Sequence, residues 1–228
     1  VTGLPVVSRE TSRAIDVVFG ARRPAAEQYV AWLADQGVAR GLIGPREVPR
    51  LWERHVLNCG VVAEVIAAGA TVRDVGSGAG LPGVPLALAR PDLRIELVEP
   101  LLRRATFLTE TIERLGIPGV RVTRARAEEL RGAARVEVVT ARAVAPVHKL
   151  AGWCLPLLRP GGSLIALKGA RVHDELAAAQ DELRRLGASS WEVSECGRGI
   201  LAEPTTVLRV VLGDAGRRGQ ADRDEGGA

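Results

Sequence analysis

Apolar residues recur along this chain at two periods, with one change of period near residue 70. Up to Gly69 the spacing is helical. SRETSRAIDVVFG (8–20) offers Ser8 or Thr11 as an N-cap and Gly20 as a stop. RPAAEQYVAWLADQGV (23–38) sets Pro24 in a first turn, Tyr29, Trp32 and Leu33 on one face, and Gly37 as a stop. PREVPRLWERHVLNCGVVAEVIAAG (45–69) carries Leu51, Trp52, Val56 and Leu57 at helical spacing, then a second helical stretch to Gly69.

From Thr71 short apolar runs alternate with amphipathic ones. TVRDVG, LRIELVEP, VRVTRA, VEVVTARA, GSLIALKG, SWEVSEC and TVLRVVLG read as strands. LPGVPLALARP, LLRRATFLTETIERLG, HKLAGWCLPLL and VHDELAAAQDELRRLG read as helices, the second with Leu101, Ala105, Leu108 and Ile112 on one face. This alternation predicts an α/β fold with a mostly parallel, doubly wound seven-stranded sheet. The last two strands have no helix between them and are expected as an antiparallel hairpin at a sheet edge. The chain therefore divides into a helical N-terminal extension (1–69), a sheet domain (70–213) and a polar, glycine-rich tail (214–228) expected to be disordered.

Composition narrows the class. Hydrophobic residues make up 46% and charged residues 25% of the 228, as in a globular protein. Charged residues interrupt every apolar run long before a membrane span, and VTGLPVVSRE has no secretory-signal pattern. Cys59, Cys154 and Cys196 are far apart, as are His55, His148 and His173, so neither a disulfide framework nor a metal site is expected. A reducing, cytoplasmic setting fits. Net charge is +4, but residues 1–60 hold eight Arg against six acids, residues 101–145 nine Arg against five Glu, and residues 61–100 three Arg against five acids. Basic segments thus flank a net-acidic one, as an anionic polymer nearby would require, although a solvated arginine-rich surface gives the same pattern.

The acidic segment contains RDVGSGAGLPGVPLA (73–87), with four glycines directly after a strand. Bare backbone there lets a ligand rest on the main chain at the carboxyl end of a parallel sheet. Glu99, at the end of the next strand, is placed to accept hydrogen bonds from ribose hydroxyls, so loop plus acid indicates a nucleoside-containing cofactor. Gly78–Gly83 matches the dinucleotide fingerprint GxGxxG, a weak signal by itself. Asp74, just ahead of the loop, disfavours a phosphate and suits a cationic ligand such as S-adenosylmethionine. Both classes stay open on this motif, with methyl transfer favoured by the terminal hairpin.

RHVLNC, DVGSGAGLPGVPLALARPD, RARAEEL, TARAVAP and ALKG, in this order and spacing, resemble the bacterial glucose-inhibited division protein B family. The likeness is dense over 45–170. It implies a class I, Rossmann-like S-adenosylmethionine-dependent methyltransferase that modifies guanine N7 in 16S rRNA and releases S-adenosylhomocysteine. It also implies cofactor contacts at Gly76, Leu81, Ala127, Glu128 and Arg142, Arg142 pairing with the methionine carboxylate; the loop and the strand-end acid add Gly78, Gly80 and Glu99 to the expected contacts. The implied partner is 16S rRNA, free or in an assembled or assembling small ribosomal subunit, and a monomer is expected. Where the family has Leu-Asp-Ser after the helix histidine, this chain has Leu57-Asn58-Cys59.

TARAVAP stands where amine-directed base methyltransferases carry an Asp/Asn-Pro-Pro-aromatic tetrad. Guanine N7 presents a free lone pair, so neither that tetrad nor a general base is needed, and no catalytic residue is assigned. Asp74 and Glu128 are the carboxylates considered for favouring charge on the product. His55 is read as a packing or capping residue. Phosphate contacts are expected from Arg9, Arg13, Arg22, Arg23, Arg46, Arg50, Arg54, Lys168 and Arg171. Another RNA or a small molecule as substrate, or a non-catalytic assembly factor, are the alternative functions.

Overall fold

The structure is a computed structural model, and it describes residues 7–142 and 145–214. The expected tail falls outside these apart from Asp214, as do Ala143 and Val144. Helix α1 (Arg9–Phe19) is capped by the Ser8 hydroxyl, which accepts from the Thr11 N–H at 3.0 Å, and it ends at Gly20. Helix α2 (Arg23–Trp32) begins at Pro24 and passes through a π-helical turn, Leu33–Gly37. Gly37 is not the stop. The helical run continues to Ala39 and breaks at Gly41, whose φ of 65° suits only glycine.

The third segment is helical but irregular. A 3-10 stretch (Pro45–Arg50), a π stretch (Leu51–Leu57), one turn of α3 (Asn58–Gly60) and a second 3-10 stretch (Val61–Val65) follow in sequence. The cause is legible: Leu51 with Val56, and Trp52 with Leu57, are pairs five apart, which an i→i+5 turn brings onto one buried face.

Seven strands form one sheet in the order β3-β2-β1-β4-β5-β7-β6. They are β1 (Thr71–Val75), β2 (Arg94–Val98), β3 (Val120–Thr123), β4 (Val136–Arg142), β5 (Leu158–Leu167), β6 (Ala188–Cys196) and β7 (Thr205–Leu212). The first five run parallel; β7 pairs antiparallel with both β5 and β6, the expected edge hairpin. Helices α4 (Gly83–Ala89), α5 (Leu102–Leu115), α6 (Val147–Cys154) and α7 (Val172–Arg185) cover its two faces. On α5, Ala105 and Leu108 are buried as the spacing requires, but Leu101 is 52% exposed, just outside the helix.

The N-terminal helices share an apolar cluster with the sheet. Ile15, Phe19, Tyr29, Leu33, Trp52 and Leu57 pack with Val72, Ile95 and Leu97 of β1 and β2 and with α4. Trp32 stacks on Phe107 of α5 and donates to the Thr111 hydroxyl at 3.1 Å. The fully buried Tyr29 hydroxyl donates to the Ala79 carbonyl at 2.8 Å, tying α2 to the glycine loop. Tyr29→Phe should therefore cost about 1–2 kcal/mol of unfolding free energy, measured by urea titration, and an unchanged midpoint would refute that tie.

Asp74, wholly buried at the end of β1, joins three elements. Its carboxylate accepts from the Gly83 N–H at 3.1 Å and the Thr140 hydroxyl of β4 at 3.0 Å, and its carbonyl accepts from Ser77. Burial outweighs these hydrogen bonds and pushes the carboxyl up from 3.8 to about 6. The folded state binds the proton more tightly, so this group's stabilisation is full below about pH 4 and is lost as pH rises through about 6. Asp74→Asn removes the titration. The gap in unfolding free energy, variant minus wild type, should rise by about 3 kcal/mol between acidic and neutral pH; parallel curves would contradict the assignment.

Candidate functional site

The loop from Gly76 to Pro82 leaves β1 at the carboxyl edge of the sheet. Its own hydrogen bonds fold it tightly: Gly76 and Ser77 donate to the Val98 carbonyl of β2, and Gly80 and Leu81 donate to the Ser77 carbonyl. Gly76 and Gly78 have φ of 72° and 58°. A Cβ on Gly78 would approach nothing closer than the Gly76 carbonyl, 3.8 Å away, so the residue is bare toward open space.

That space is a cavity of about 970 Å³. Gly76, Gly78, Leu81, Glu99 and Arg142 line it, five of the expected contacts brought together from β1, β2 and β4. Three others do not face it. Gly80 is turned inward, where a Cβ would meet Val84 at 2.6 Å and the Tyr29 hydroxyl at 3.0 Å; this glycine serves packing. Ala127 is buried in the apolar cluster beneath α6, and Glu128 is exposed beyond the cavity wall. Arg124, Ala125, Arg126 and Glu129 stand along that wall instead. The 3-10 turn Ala127–Leu130 rotates neighbouring residues apart, and motif order alone does not show which of them points inward.

Glu99 is almost fully buried and held at both oxygens: Oε2 accepts from the Gly78 N–H at 2.9 Å and Oε1 from the Leu101 N–H at 3.0 Å. A carboxylate oxygen has a second lone pair, so each can still accept from a diol. Asp74 is not at the cavity wall. Its carboxylate occupies the Gly83 N–H, the first helical donor a phosphate would need, so the GxGxxG match does not make a pyrophosphate site.

Arg142 ends β4. Its Nη2 donates to His55 Nδ1 at 2.6 Å and to the Arg54 carbonyl at 3.1 Å, and Nη1 to the Cys59 sulfur at 3.5 Å. His55 Nε2 lies 2.8 Å from Glu47 Oε2. His55 thus has an acid partner and lines the cavity with Leu42 and Ile43, which sequence reasoning did not find. Burial, then the Arg142 charge, holds the imidazole below its ordinary pKa; the His55 hydrogen bond holds Glu47 below the carboxylate range. Burial drives the Cys59 thiol up to about 11, so it is a neutral acceptor here.

A second cavity of about 510 Å³ adjoins the first and shares Arg142 as a wall; Arg54, Asn58, Lys168 and Arg171 also line it. Lys168, one of the expected phosphate contacts, lines this cavity but already has partners. Its side chain is 9% exposed, and Nζ is 2.8 Å from both the Ala145 carbonyl and Glu175 Oε2, so its charge is spent internally. Arg54 and Arg171 are exposed, whereas Arg23 is engaged with Asp16 and Glu27. Among the described residues no cluster of His, Cys, Asp or Glu suits a metal ion, and no helix is long and apolar enough to cross a membrane.

Solved structures share this architecture at low identity. A precorrin-6y C5,15-methyltransferase from Geobacter metallireducens superposes with a TM-score of 0.53 at 16% identity, covering 79% of this chain and 96% of that one. M. jannaschii TYW2, in complex with AdoMet, gives 0.55 at 15% identity, covering 71% and 77%. Likeness at that level establishes the fold, a class I methyltransferase fold with added N-terminal helices. Sequence relatives are far nearer. The ribosomal RNA small subunit methyltransferase G of Thermobifida fusca is 58% identical over 195 residues, 86% of this chain and 82% of the relative. The protein of the same name from Streptomyces coelicolor is 57% identical over 199 residues, 87% and 83%. With the family model for GidB, rRNA small subunit methyltransferase G, matching residues 22–203, this chain belongs to that family.

Proposed function

We propose that this protein transfers a methyl group from S-adenosylmethionine to N7 of a guanine in 16S rRNA. The observation that carries the cofactor half is the Asp74 carboxylate seated on the Gly83 N–H beneath a bare loop. It denies the helix end to phosphate while the cavity above admits an uncharged adenosyl group. When bound, the cofactor supplies an electrophilic methyl carbon on a sulfonium. Glu99 keeps free lone pairs for a ribose diol, the loop from Gly76 to Leu81 offers main chain to the nucleoside, and Arg142 offers a guanidinium to the methionine carboxylate.

The substrate half rests on family membership and on the cavity shared at Arg142. Purine N7 has its lone pair in hand, so this chain's part is to orient and exclude water rather than to remove a proton. In the second cavity Lys168 is paired with Glu175. N7 lies in the deep groove of an A-form helix, so the target guanine belongs in a loop or flipped out. Exposed Arg54, Arg171, Arg124 and Arg126 surround the two openings and are the side chains best placed for phosphates. We take the protein to act as a cytoplasmic monomer, on rRNA free or in a small-subunit particle.

Gly78→Val forces a β-branched residue to a φ of 58° and fills the cavity. Calorimetry should show S-adenosylmethionine binding abolished, and normal affinity would mean the pocket is misplaced. Arg171→Ala should weaken rRNA binding and lower the slope of log K against log salt by about one, with cofactor affinity unchanged. For the activity itself, mass spectrometry of 16S rRNA from a deletion strain should show one 7-methylguanine lost; an unaltered level would sink the assignment.

A further inference from the structure

The first cavity has a wall that the sheet does not provide. Arg142, half-buried, makes no ion pair among the described residues, although it carries a permanent charge. Instead all its hydrogen bonds go to the N-terminal segment: the Arg54 carbonyl, the His55 ring and the Cys59 sulfur. These occupy both N–H groups of Nη2 and one of Nη1, which leaves Nε and the second Nη1 hydrogen for a ligand. An arginine fixed this way has its free donors aimed before any ligand arrives.

The fixing runs in one direction. A guanidinium only donates, so His55 Nδ1 must accept and its ring proton must sit on Nε2. Nε2 faces Glu47 Oε2, and a carboxylate accepting that proton makes Nδ1 the stronger acceptor. Burial and the Arg142 charge both keep the ring neutral, the state this chain of donors needs. His55 lines the cavity; Glu47, on the 3-10 stretch Pro45–Arg50, does not, and touches Arg142 through the ring, while its other oxygen lies 3.7 Å from Arg54 Nη1.

We propose that Glu47 and His55 are positioning residues, which aim Arg142 at the methionine carboxylate of the cofactor. The proposal rests on the reading of Arg142 given under Proposed function, and it makes residues 45–59 part of the cofactor site. An arginine anchored to Glu128 or another acid of the sheet domain would not need this segment; here the segment supplies every partner that orients the guanidinium.

The test compares the full-length chain's affinity for S-adenosylmethionine with that for 5′-methylthioadenosine, which lacks the methionine carboxylate, by calorimetry. His55→Ala should weaken S-adenosylmethionine about tenfold and change methylthioadenosine by less than about twofold. Glu47→Gln, nearly isosteric and unable to take charge, should give a smaller loss with the same selectivity. His55→Asn, whose amide oxygen can stand near the Nδ1 position, should recover part of the affinity. On an Arg142→Ala background, His55→Ala should add nothing. Equal losses for both ligands, or a full loss on that background, would overturn the positioning role. Should Arg142→Ala itself leave the two affinities in their original ratio, the carboxylate assignment falls and takes the proposal with it. Should Arg142→Ala change the ratio while His55→Ala and Glu47→Gln do not, only the proposal falls.

Discussion

The buried carboxylate of Asp74 is the constraint from which the site follows. It sits where β1, β4 and the start of α4 converge; its carboxylate accepts from Gly83 and Thr140, and its carbonyl from Ser77 of the loop. Burial makes the charged form expensive, as the rise to about 6 records. The arrangement persists because an apolar replacement would strand the Gly83 N–H and the Thr140 hydroxyl in the same interior. Holding the helix start this way leaves the preceding loop no freedom to become a phosphate cradle.

Within that loop the glycines divide by direction. Gly78 is bare toward the cavity, which Gly76 also lines; Gly80 and Gly83 are bare toward the protein, where a Cβ would strike Val84 or Leu97. A dense run of glycines therefore satisfies two separate demands, ligand approach in front and helix–sheet packing behind. Glu99 couples them: the same carboxylate that offers lone pairs to a diol accepts from Gly78 and fixes the loop's height above β2.

The N-terminal segment closes the third side. It packs into the same apolar cluster as β1 and β2 and reaches the loop through Tyr29 and β4 through His55. Its irregular helical turns put Leu51, Trp52, Val56 and Leu57 into the core while Arg54 and His55 face the site. The basic residues are unequal in consequence. Lys168 is paired with Glu175 and Arg23 with Asp16 and Glu27, while Arg54, Arg124, Arg126 and Arg171 remain exposed around the openings. Counting charge along the chain does not separate these groups; only their neighbours do.

Local periodicity by itself determined the strands as a mostly parallel set, the closing hairpin and the helices between them. A strand's alternation and a helix's stripe are properties of adjacent residues. The glycine loop and the acid ending the next strand were legible for the same reason, since each sits at a fixed offset from a strand end. The tertiary structure alone decided which side chains share a space: that Gly80 and Asp74 face inward, that Ala125 and Glu129 line the cavity while Ala127 is buried and Glu128 exposed, and that Lys168 is paired with Glu175. It alone joined Glu47 and His55 to Arg142, across 87 residues between the ring and the guanidinium. Contacts of that range depend on how two faces pack, and no spacing within one element encodes them.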